Sequence, residues 1–522
     1  MRFISDLDRR LFARVADGRL RGAHPVLPGL THAANHGRLW FGTAGVLATV
    51  GGRTARRAAL RGVGALAAAS LASNTVVKWT VNRRRPVLDG VPLIRRLARQ
   101  PWTSSFPSGH SASAAAFATG VALESTGYGI LVAPLAAAVA FSRVYVGVHY
   151  PSDVLAGLAL GVGAAALTCR WWPPRPQTPA QARPRVSAPA LPGGDGLVVV
   201  VNRQSGVGVP GGVPGAAPTP AERLRALLPA AEVLERDPET DLGELLDRAA
   251  RRAAERGGAL GICGGDGSVN AAAALAAERG LPLAVFPGGT FDHFALDVGV
   301  PAVEDTVHAV TQGDAVAVDL ARVSPLPGDG PGGHFINTFS LGMYPELVKI
   351  RESLEGRLGT WPAAAVALAR VLRTATPMEI EVNGHRRRLW VLFVGNCRYA
   401  PEGFAPAYRE RLDDGLLDVR AVDGDQPLAR TRLLAAALTG TLGRSRVVAT
   451  RRLRRLSLTG LHEVDVRAYD GEVAPSPAEA LVIEKRPGAL TVYRPAEPGN
   501  ELAQRARTAA ATAHFRRAVL RR

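Results

Sequence analysis

The feature that most constrains this 522-residue chain is the crowding of apolar, alanine-rich stretches into its first third. Five of them, at about 38–52, 58–80, 109–124, 127–145 and 152–171, read as helices. Most fall short of the ~20 residues of a comfortable membrane span, and one alone is ambiguous with a buried helix of a soluble protein. Five within so short a region, closed by Trp171 and Trp172 as interface anchors, predict an all-α membrane helix bundle. Ahead of them, Phe3, Ile4, Leu7, Leu11, Phe12 and Val15 recur at helical spacing, which suits a helix lying on a membrane or one packed on the bundle. The opening residues are charged and amphipathic without an unbroken apolar core, so a secretory leader is not expected.

The texture then changes. Residues 173–195 are rich in Pro, Ala and Gly without periodicity and read as a linker. Beyond it, Leu197–Val201 is a buried-strand run, 220–256 reads as helices, Leu260–Cys263 as a strand, 268–279 as a helix and Leu283–Phe286 as a strand. Such alternation predicts an α/β parallel-sheet lobe. From 316 onward strands dominate, at 316–323, 334–341, 378–382, 387–395, 416–422, 454–458, 463–468 and 480–484, with a helix at 361–373. The expected organisation is a membrane bundle over 1–172, the linker, an α/β nucleotide-binding lobe over 196–315, a mostly β lobe over 316–495 and a basic tail over 496–522.

Charge narrows the partners. The formal net charge is +18, carried almost entirely by arginine, and hydrophobic residues make up 47%. A strongly basic chain points to nucleic acid or an anionic membrane surface. Aromatic residues are only 6% and no zinc-finger spacing occurs, so lipid is the expected partner and nucleic acid is not. An Ala- and Arg-rich composition also follows from genomic base bias, and that reading stays open. Cys169, Cys263 and Cys397 lie too far apart in sequence for a disulfide framework or a metal motif.

Three local patterns follow one another in the first third: Lys78, six residues, then Arg85-Pro86; Pro107-Ser108-Gly109-His110; and Ser142-Arg143, five residues, His149, three residues, Asp153. Lys78 and Arg85 are seven apart, about two helical turns, so on one helix they share a face and both reach a phosphate. Ser108 and Gly109 open a helix whose first N–H groups point at an anion. In order and internal spacing the set resembles the three motifs of the type 2 phosphatidic acid phosphatase and vanadium haloperoxidase superfamily. The resemblance implies that His149 attacks phosphorus, giving a phosphohistidine intermediate, while Asp153 orients its ring. It further implies that His110 protonates the leaving oxygen, that Arg143 neutralises the transition state, and that no cofactor is needed. Haloperoxidases are usually soluble, so the apolar helices favour the lipid phosphatase branch.

A second constellation begins at Asn202, which with Arg203, Gln204, Ser205 and Gly206 follows the first strand. Gly264-Gly265-Asp266-Gly267-Ser268, with Asn270 two on, sits between a strand and a helix, the setting of a phosphate-cradling turn. Pro287-Gly288-Gly289-Thr290-Phe291-Asp292-His293-Phe294-Ala295 follows the next strand. Asp413-Asp414-Gly415 and Asp470-Gly471-Glu472 come later. Together these resemble the diacylglycerol and sphingosine kinase family. The resemblance implies ATP and Mg²⁺ as cofactors, a structural Mg²⁺ at Asp413 and Asp414, and Glu472 as the base that deprotonates a lipid hydroxyl. Three departures stand out: Arg203 replaces a proline, Asp292 replaces an asparagine, and His293 stands where an acidic residue is common. The extra carboxylate leaves two outcomes open, tolerance through Mg²⁺ or weaker ATP binding.

The sequence thus predicts a bifunctional lipid enzyme, a phosphatase joined to an ATP-dependent lipid kinase. The alternative is an active phosphatase tethered to a non-catalytic nucleotide- or lipid-binding module. The phosphatase motifs fall on one side of the membrane and 152–171 crosses away from them, so a cytoplasmic kinase places the phosphatase on the outer face of a multi-pass cell-membrane protein. Charge is divided: Arg53, Arg56, Arg57 and Arg61 suit a cytoplasmic loop, but Arg83, Arg84, Arg95, Arg96 and Arg99 then lie outside. The tail, with Arg505, Arg507, Arg516, Arg517, Arg521 and Arg522, suits an anionic lipid surface or a solvated terminus.

Overall fold

The computed structural model describes residues 2–18, 23–73, 75, 83–87, 91–97, 103–176, 178–185, 188–202, 219–237, 239–289, 292–326, 332–401, 407–464, 466–470, 472–475 and 479–496. Lys78, Ser205, Thr290 and the basic tail lie outside them. The chain divides into two compact units, Met1–Arg175 and Pro176–Arg522.

The first unit is helical: α1 (Arg2–Asp17), α2 (Ala23–Ala33), α3 (Arg38–Val50), α4 (Arg53–Ala72), α5 (Gly109–Glu124), α6 (Thr126–Tyr145) and α7 (Pro151–Thr168). Ser108 caps α5 by accepting from Ser111 N, and Ser125 caps α6 by accepting from Tyr128 N. Pro151 opens α7, where its missing N–H costs nothing. Small residues let the helices approach closely. A Cβ at Gly157 would stand 2.4 Å from the Ser108 carbonyl oxygen, and one at Gly161 would stand 2.3 Å from that of Ala112. Two of the described helices, α6 and α7, are long and apolar enough to cross a membrane, with mean hydropathies of 1.5 and 1.4.

Two expectations change here. The helix expected over 58–80 begins at Arg53, so Arg53, Arg56, Arg57 and Arg61 are helical residues rather than a loop. Arg61 is buried and paired with Glu124 at the end of α5, 2.7 Å away, so it reports packing and not membrane orientation. The first helix packs on the bundle: Phe12 and Ala16 are buried against Ala140, Val144 and Val154.

In the second unit the strands are β1 (Arg183–Arg185), β2 (Leu197–Asn202), β3 (Glu232–Arg236), β4 (Ala259–Gly264), β5 (Leu283–Pro287), β6 (Ala315–Leu326), β7 (Gly333–Phe335), β8 (Thr338–Gly342), β9 (Met378–Val382), β10 (His385–Asn396), β11 (Tyr399–Ala400), β12 (Tyr408–Arg409), β13 (Leu417–Asp423), β14 (Val448–Leu453), β15 (Arg455–Thr459), β16 (Val466–Tyr469), β17 (Glu472–Pro475) and β18 (Ala480–Tyr493). Strands β3, β2, β4 and β5 run parallel in that order. Helices cover both faces, and the strand residues divide between them by alternation. Val198, Val200, Leu260 and Ile262 point into one core, and Leu197, Val199, Val201 and Cys263 into the other. From β6 onward the pairing is antiparallel, apart from the parallel contact of β18 with β5, around a second core that includes Phe335, Phe339, Leu392 and Ile483.

Some expected elements differ. The region 220–256, expected as helices, contains β3 between α8 (Pro220–Leu227) and α9 (Leu242–Glu255). Its residues are half-buried at the edge of the sheet, and the weak alternation hides within charged sequence. Part of the expected linker is ordered: Arg183–Arg185 pairs antiparallel with Ala315–Ala317. The helix expected at 361–373 is preceded by another, Met343–Leu358, and β14 was not anticipated.

Candidate active sites

In the first unit the turn Val146–Tyr150 between α6 and α7 carries His149. The Arg143 carbonyl at the end of α6 accepts from both Val148 N and His149 N, which fixes the turn. Nδ1 of His149 lies 2.7 Å from the Ser105 carbonyl oxygen. A carbonyl only accepts, so Nδ1 carries the proton and Nε2 keeps its lone pair. Nη1 of Arg85 stands 3.5 Å from that Nε2. Burial pushes the His149 imidazole down to about 4, opposed by Asp153 and reinforced by Arg143 and Arg85.

Asp153 holds this arrangement less directly than the spacing suggests. Its Oδ2 is 3.8 Å from His149 Nδ1, beyond hydrogen-bond reach. That oxygen accepts instead from Ser105 Oγ and from Tyr150 N at 2.9 Å. Asp153 therefore positions Ser105, whose carbonyl orients the ring. Oδ1 of Asp153 accepts from Arg83 Nη1 at 2.6 Å, and Arg83 Nη2 reaches Asp8 Oδ2 at 2.5 Å. Asp8, buried on α1, also accepts from Ser152 N at 2.9 Å and Ser152 Oγ at 2.6 Å. Ser105, Arg83 and Asp8 were not foreseen.

Arg85 sits in segment 83–87, which has no regular structure and is not helical, as expected where the following Pro86 disfavours helical geometry at Arg85. The shared helix face expected for Lys78 and Arg85 therefore does not position it. Its guanidinium is held by the carbonyls of Thr103 at 3.0 Å and Val148 at 2.7 Å. Arg143 is buried, and its Nε and Nη1 have no hydrogen-bond partner among the described residues. Two buried N–H groups without an acceptor are costly unless an anion arrives. Ser108 N donates to the Asp153 carbonyl at 3.0 Å, so the start of α5 abuts the start of α7. His110, in the first turn of α5, places Nε2 2.9 Å from Asn35 Oδ1. Arg85, Ser108, Gly109, His110, Arg143, His149 and Asp153 thus occupy one end of the bundle.

In the second unit the parallel strands β2, β4 and β5 end side by side, and the turns that follow β4 and β5 cross there. Gly264 lies in register with Pro287. A Cβ on Gly264 would fall 2.8 Å from Ser268 Cβ and 3.9 Å from Asn202 Cβ. A Cβ on Gly289 would fall 2.7 Å from Gly265 Cα and 2.9 Å from Asp292 Oδ1. The glycines keep this crossing narrow. Gly265 caps α10 (Asp266–Arg279), which brings Gly267 and Ser268 into its first turn. Oδ1 of Asp266 and Oδ1 of Asn270 are buried without a hydrogen bond among the described residues. A narrow glycine cradle at a helix start, with buried acceptors beside it, fits a nucleotide phosphate with its cation.

Asp292 adopts a left-handed conformation, φ 49°, and its Oδ1 accepts from Gly289 N at 2.8 Å. That is a role an asparagine side-chain oxygen fills equally well, since both residues tolerate this conformation.

The segment 334–338 links α10 to the turn before β17. Asn270 Nδ2 donates to the His334 carbonyl at 3.2 Å. The Asp470 carboxylate accepts from Ile336 N at 3.0 Å, Asn337 N at 2.8 Å and Thr338 N at 2.6 Å. Desolvation raises Asp470 to about 7 although the three N–H groups favour its charged form. Glu472, two residues on, opens β17.

The aspartates expected to hold a structural Mg²⁺ are already engaged. Asp413 pairs with Arg411 at 3.0 Å and Arg183 at 3.6 Å. Asp414 accepts from Arg398 N at 2.8 Å and Leu416 N at 2.9 Å. Beside Asp414 stands the buried ammonium of Lys485, 2.6 Å from Asn396 Oδ1 and 3.4 Å from Asp319 Oδ2. A divalent ion needs several oxygens at about 2.1–2.6 Å around one point, and a cation already fills that point. These residues do not fit a bound Mg²⁺.

Comparison with known proteins places three family models along the chain: the PAP2 superfamily over 59–177, the diacylglycerol kinase catalytic domain over 196–323, and the YegS C-terminal NAD kinase beta sandwich-like domain over 349–494. A protein of Pseudomonas syringae pv. syringae (strain B728a) named "Probable lipid kinase YegS-like" is 32% identical over 240 residues, 45% of this chain and 75% of that protein. The crystal structure of a diacylglycerol kinase from Bacillus anthracis str. Sterne matches 57% of this chain and 97% of that chain at 18% identity, with a TM-score of 0.37. A transmembrane PAP2 type phosphatidylglycerolphosphate phosphatase from Bacillus subtilis matches 32% of this chain and 85% of that chain at 24% identity, with a TM-score of 0.25. The chain therefore carries a PAP2 superfamily domain at 59–177, and its second part belongs to the YegS-like family built on the diacylglycerol kinase catalytic domain.

Proposed function

We propose that the chain is a bifunctional membrane enzyme: a lipid phosphate phosphatase acting through a phosphohistidine, joined to a kinase that phosphorylates a lipid alcohol, most simply diacylglycerol. The phosphatase reading rests on one observation, the His149 ring with Nδ1 donated to Ser105 and its Nε2 lone pair retained beside Arg85. Arg85, Arg143 and the first N–H groups of α5 hold the phosphate, with Lys78 assigned by motif. Nε2 attacks phosphorus, the bond from phosphorus to the lipid oxygen breaks, and His110 gives that oxygen its proton. A water then attacks the phosphohistidine with His110 taking a proton, and phosphate leaves.

The kinase reading is supported by the crossing of Gly289 and Gly265 beside Asp266. Asn202, Ser205, the 264–268 turn, Asn270, Gly289, Thr290 and Asp292 would hold the nucleotide. Bound Mg-ATP supplies the phosphoryl group and neutralises its developing charge. Glu472 would take the proton of the lipid hydroxyl as the hydroxyl oxygen attacks the terminal phosphorus of ATP, the bond from that phosphorus to the bridging oxygen breaking so that ADP leaves. Radiolabelled ATP with mixed lipid alcohols tests this. Label incorporation lost in Glu472→Ala supports a kinase, and no incorporation by either chain supports a binding module instead.

Membrane insertion is supported by α6 and α7. The catalytic end of the bundle lies at the start of α7. Its far end brings Cys169 to 3.9 Å and the Trp172 ring centroid to 4.6 Å from the Arg61 guanidinium. A spanning α7 therefore leads the chain away from the phosphatase side, with the kinase half cytoplasmic. Cysteines introduced at Arg84 and Glu278 would be labelled from opposite faces; labelling from the same face refutes the topology.

A further inference from the structure

The acidic pocket around Asp319 and Asp414 is the place where the second unit departs most from what its motifs imply. The ligand atoms of Asp319, Cys397 and Asp414 lie within 4.8 Å of one another, a spacing that suits a cation. The cation present is the Lys485 ammonium. It reaches the pocket from β18, with its side chain 1% exposed. Its Nζ is 2.6 Å from Asn396 Oδ1, 3.0 Å from Cys397 Sγ, 3.4 Å from Asp319 Oδ2 and 3.9 Å from Asp414 Oδ1.

The remaining oxygens are also used. Asp319 Oδ1 accepts from Gly488 N, and Asp319 Oδ2 from Gly415 N, each at 2.8 Å. An ammonium with three hydrogens, facing an amide oxygen, a sulfur and carboxylate oxygens, is a satisfied buried charge. A divalent ion entering this space would meet that ammonium within contact distance.

We propose that Lys485 is the resident cation of this pocket, and that this chain has exchanged a structural divalent-metal site for an internal lysine. The ammonium also fixes the neighbouring loop. Asn396 receives it through Oδ1 and donates through Nδ2 to the carbonyls of Asp319 at 2.8 Å and Ile336 at 2.9 Å. Ile336 N is one of the three donors on Asp470, next to Glu472. The lysine thus performs, within the chain, the ordering that a bound ion performs elsewhere.

The test uses the purified full chain in detergent micelles without nucleotide, titrated with Mn²⁺ and followed by electron paramagnetic resonance and thermal unfolding. The wild type is expected to show the same Mn²⁺ stoichiometry as Asp414→Asn, and no shift in its transition between EDTA and excess Mg²⁺. Lys485→Met is expected to melt lower, to gain one Mn²⁺ site, and to recover by about 5 °C at saturating metal. Adding Asp414→Asn should remove the gained site. One wild-type Mn²⁺ site that Asp414→Asn abolishes overturns the proposal, as does a folded Lys485→Met that gains none. Should Lys485→Met fail to fold, the comparison of wild type with Asp414→Asn decides alone: equal stoichiometry sustains the exchange.

Discussion

His149 donates its Nδ1 hydrogen to the Ser105 carbonyl oxygen at 2.7 Å, and this single bond leaves the Nε2 lone pair on the side of Arg85. Because the acceptor is a carbonyl rather than a carboxylate, it stabilises the neutral ring without the full Coulomb pull that would favour imidazolium.

A pH dependence follows. Burial pushes the His149 imidazole from its ordinary 6.5 down to about 4, so the ring stays neutral down to about pH 5. The acid limb of kcat/KM for phosphatidate should fall only below that. Stability follows the same sign. The unfolded chain binds the proton first, so this residue's share is intact above 6.5 and is lost as pH drops toward 4. His149→Ala should cost at least about 10³-fold in kcat. An acid limb centred near 6.5 would count against the arrangement.

Asp8 should matter to a reaction it does not touch. It holds Arg83, which holds Asp153, which holds Ser105. Asp8→Ala is expected to lower phosphatase kcat by on the order of tenfold with KM little changed, because misplacement by a fraction of an ångström is enough. Asp8→Glu should restore part of the loss. Equal kcat in Asp8→Ala and wild type would show α1 to be packing alone.

Asp292 and Gly289 separate turn geometry from charge. Asp292→Asn keeps the bond to Gly289 N and removes a negative charge beside the proposed nucleotide site. It should bind ATP as well as the wild type or a few-fold tighter. Gly289→Ala drives a Cβ to 2.7 Å from Gly265 Cα and should weaken ATP binding at least about tenfold. Isothermal titration of the full chain checks both. Loss of binding in Asp292→Asn would mean the carboxylate itself recruits the nucleotide's metal.

Glu124 and Arg61 form a buried pair at the end of the bundle remote from His149, with Arg57 adding a second contact at 3.2 Å. Glu124→Ala should destabilise the first unit by about 3–5 kcal/mol, since it strands a buried guanidinium. Combining it with Arg61→Met should recover much of that. Thermal unfolding in detergent measures the difference, and a mild Glu124→Ala defect would contradict the pairing.

Residues with distinctive chemistry were legible in the sequence: the histidines and arginines of the phosphatase and the glycine turns of the kinase. Each sits in a short motif whose neighbours also set its backbone, as Ser108 does for α5. What stayed hidden depends on contacts between distant positions. Asp8 meets Arg83 across 75 residues, and Lys485 enters a pocket built by residues 88 and 89 positions away. Neither periodicity nor spacing encodes such a pairing, because a lone Asp on an amphipathic helix or a Lys in a strand reads as surface. Strand β3 escaped for a related reason, its charged edge offering too little contrast against the flanking helices.

Strand β18 runs unbroken from the antiparallel lobe into the nucleotide-binding lobe. It pairs with β15 and β6 at its start and touches β5 at Val492. Two lobes that share a spine cannot swing like jaws on a loose joint. The pairing of β18 with β6 skips between Arg486 and Leu490, which leaves that stretch the least tied part of the shared strand. Lys485 sits at the edge of that gap, so the buried ammonium anchors β18 just where its backbone ladder to β6 is interrupted.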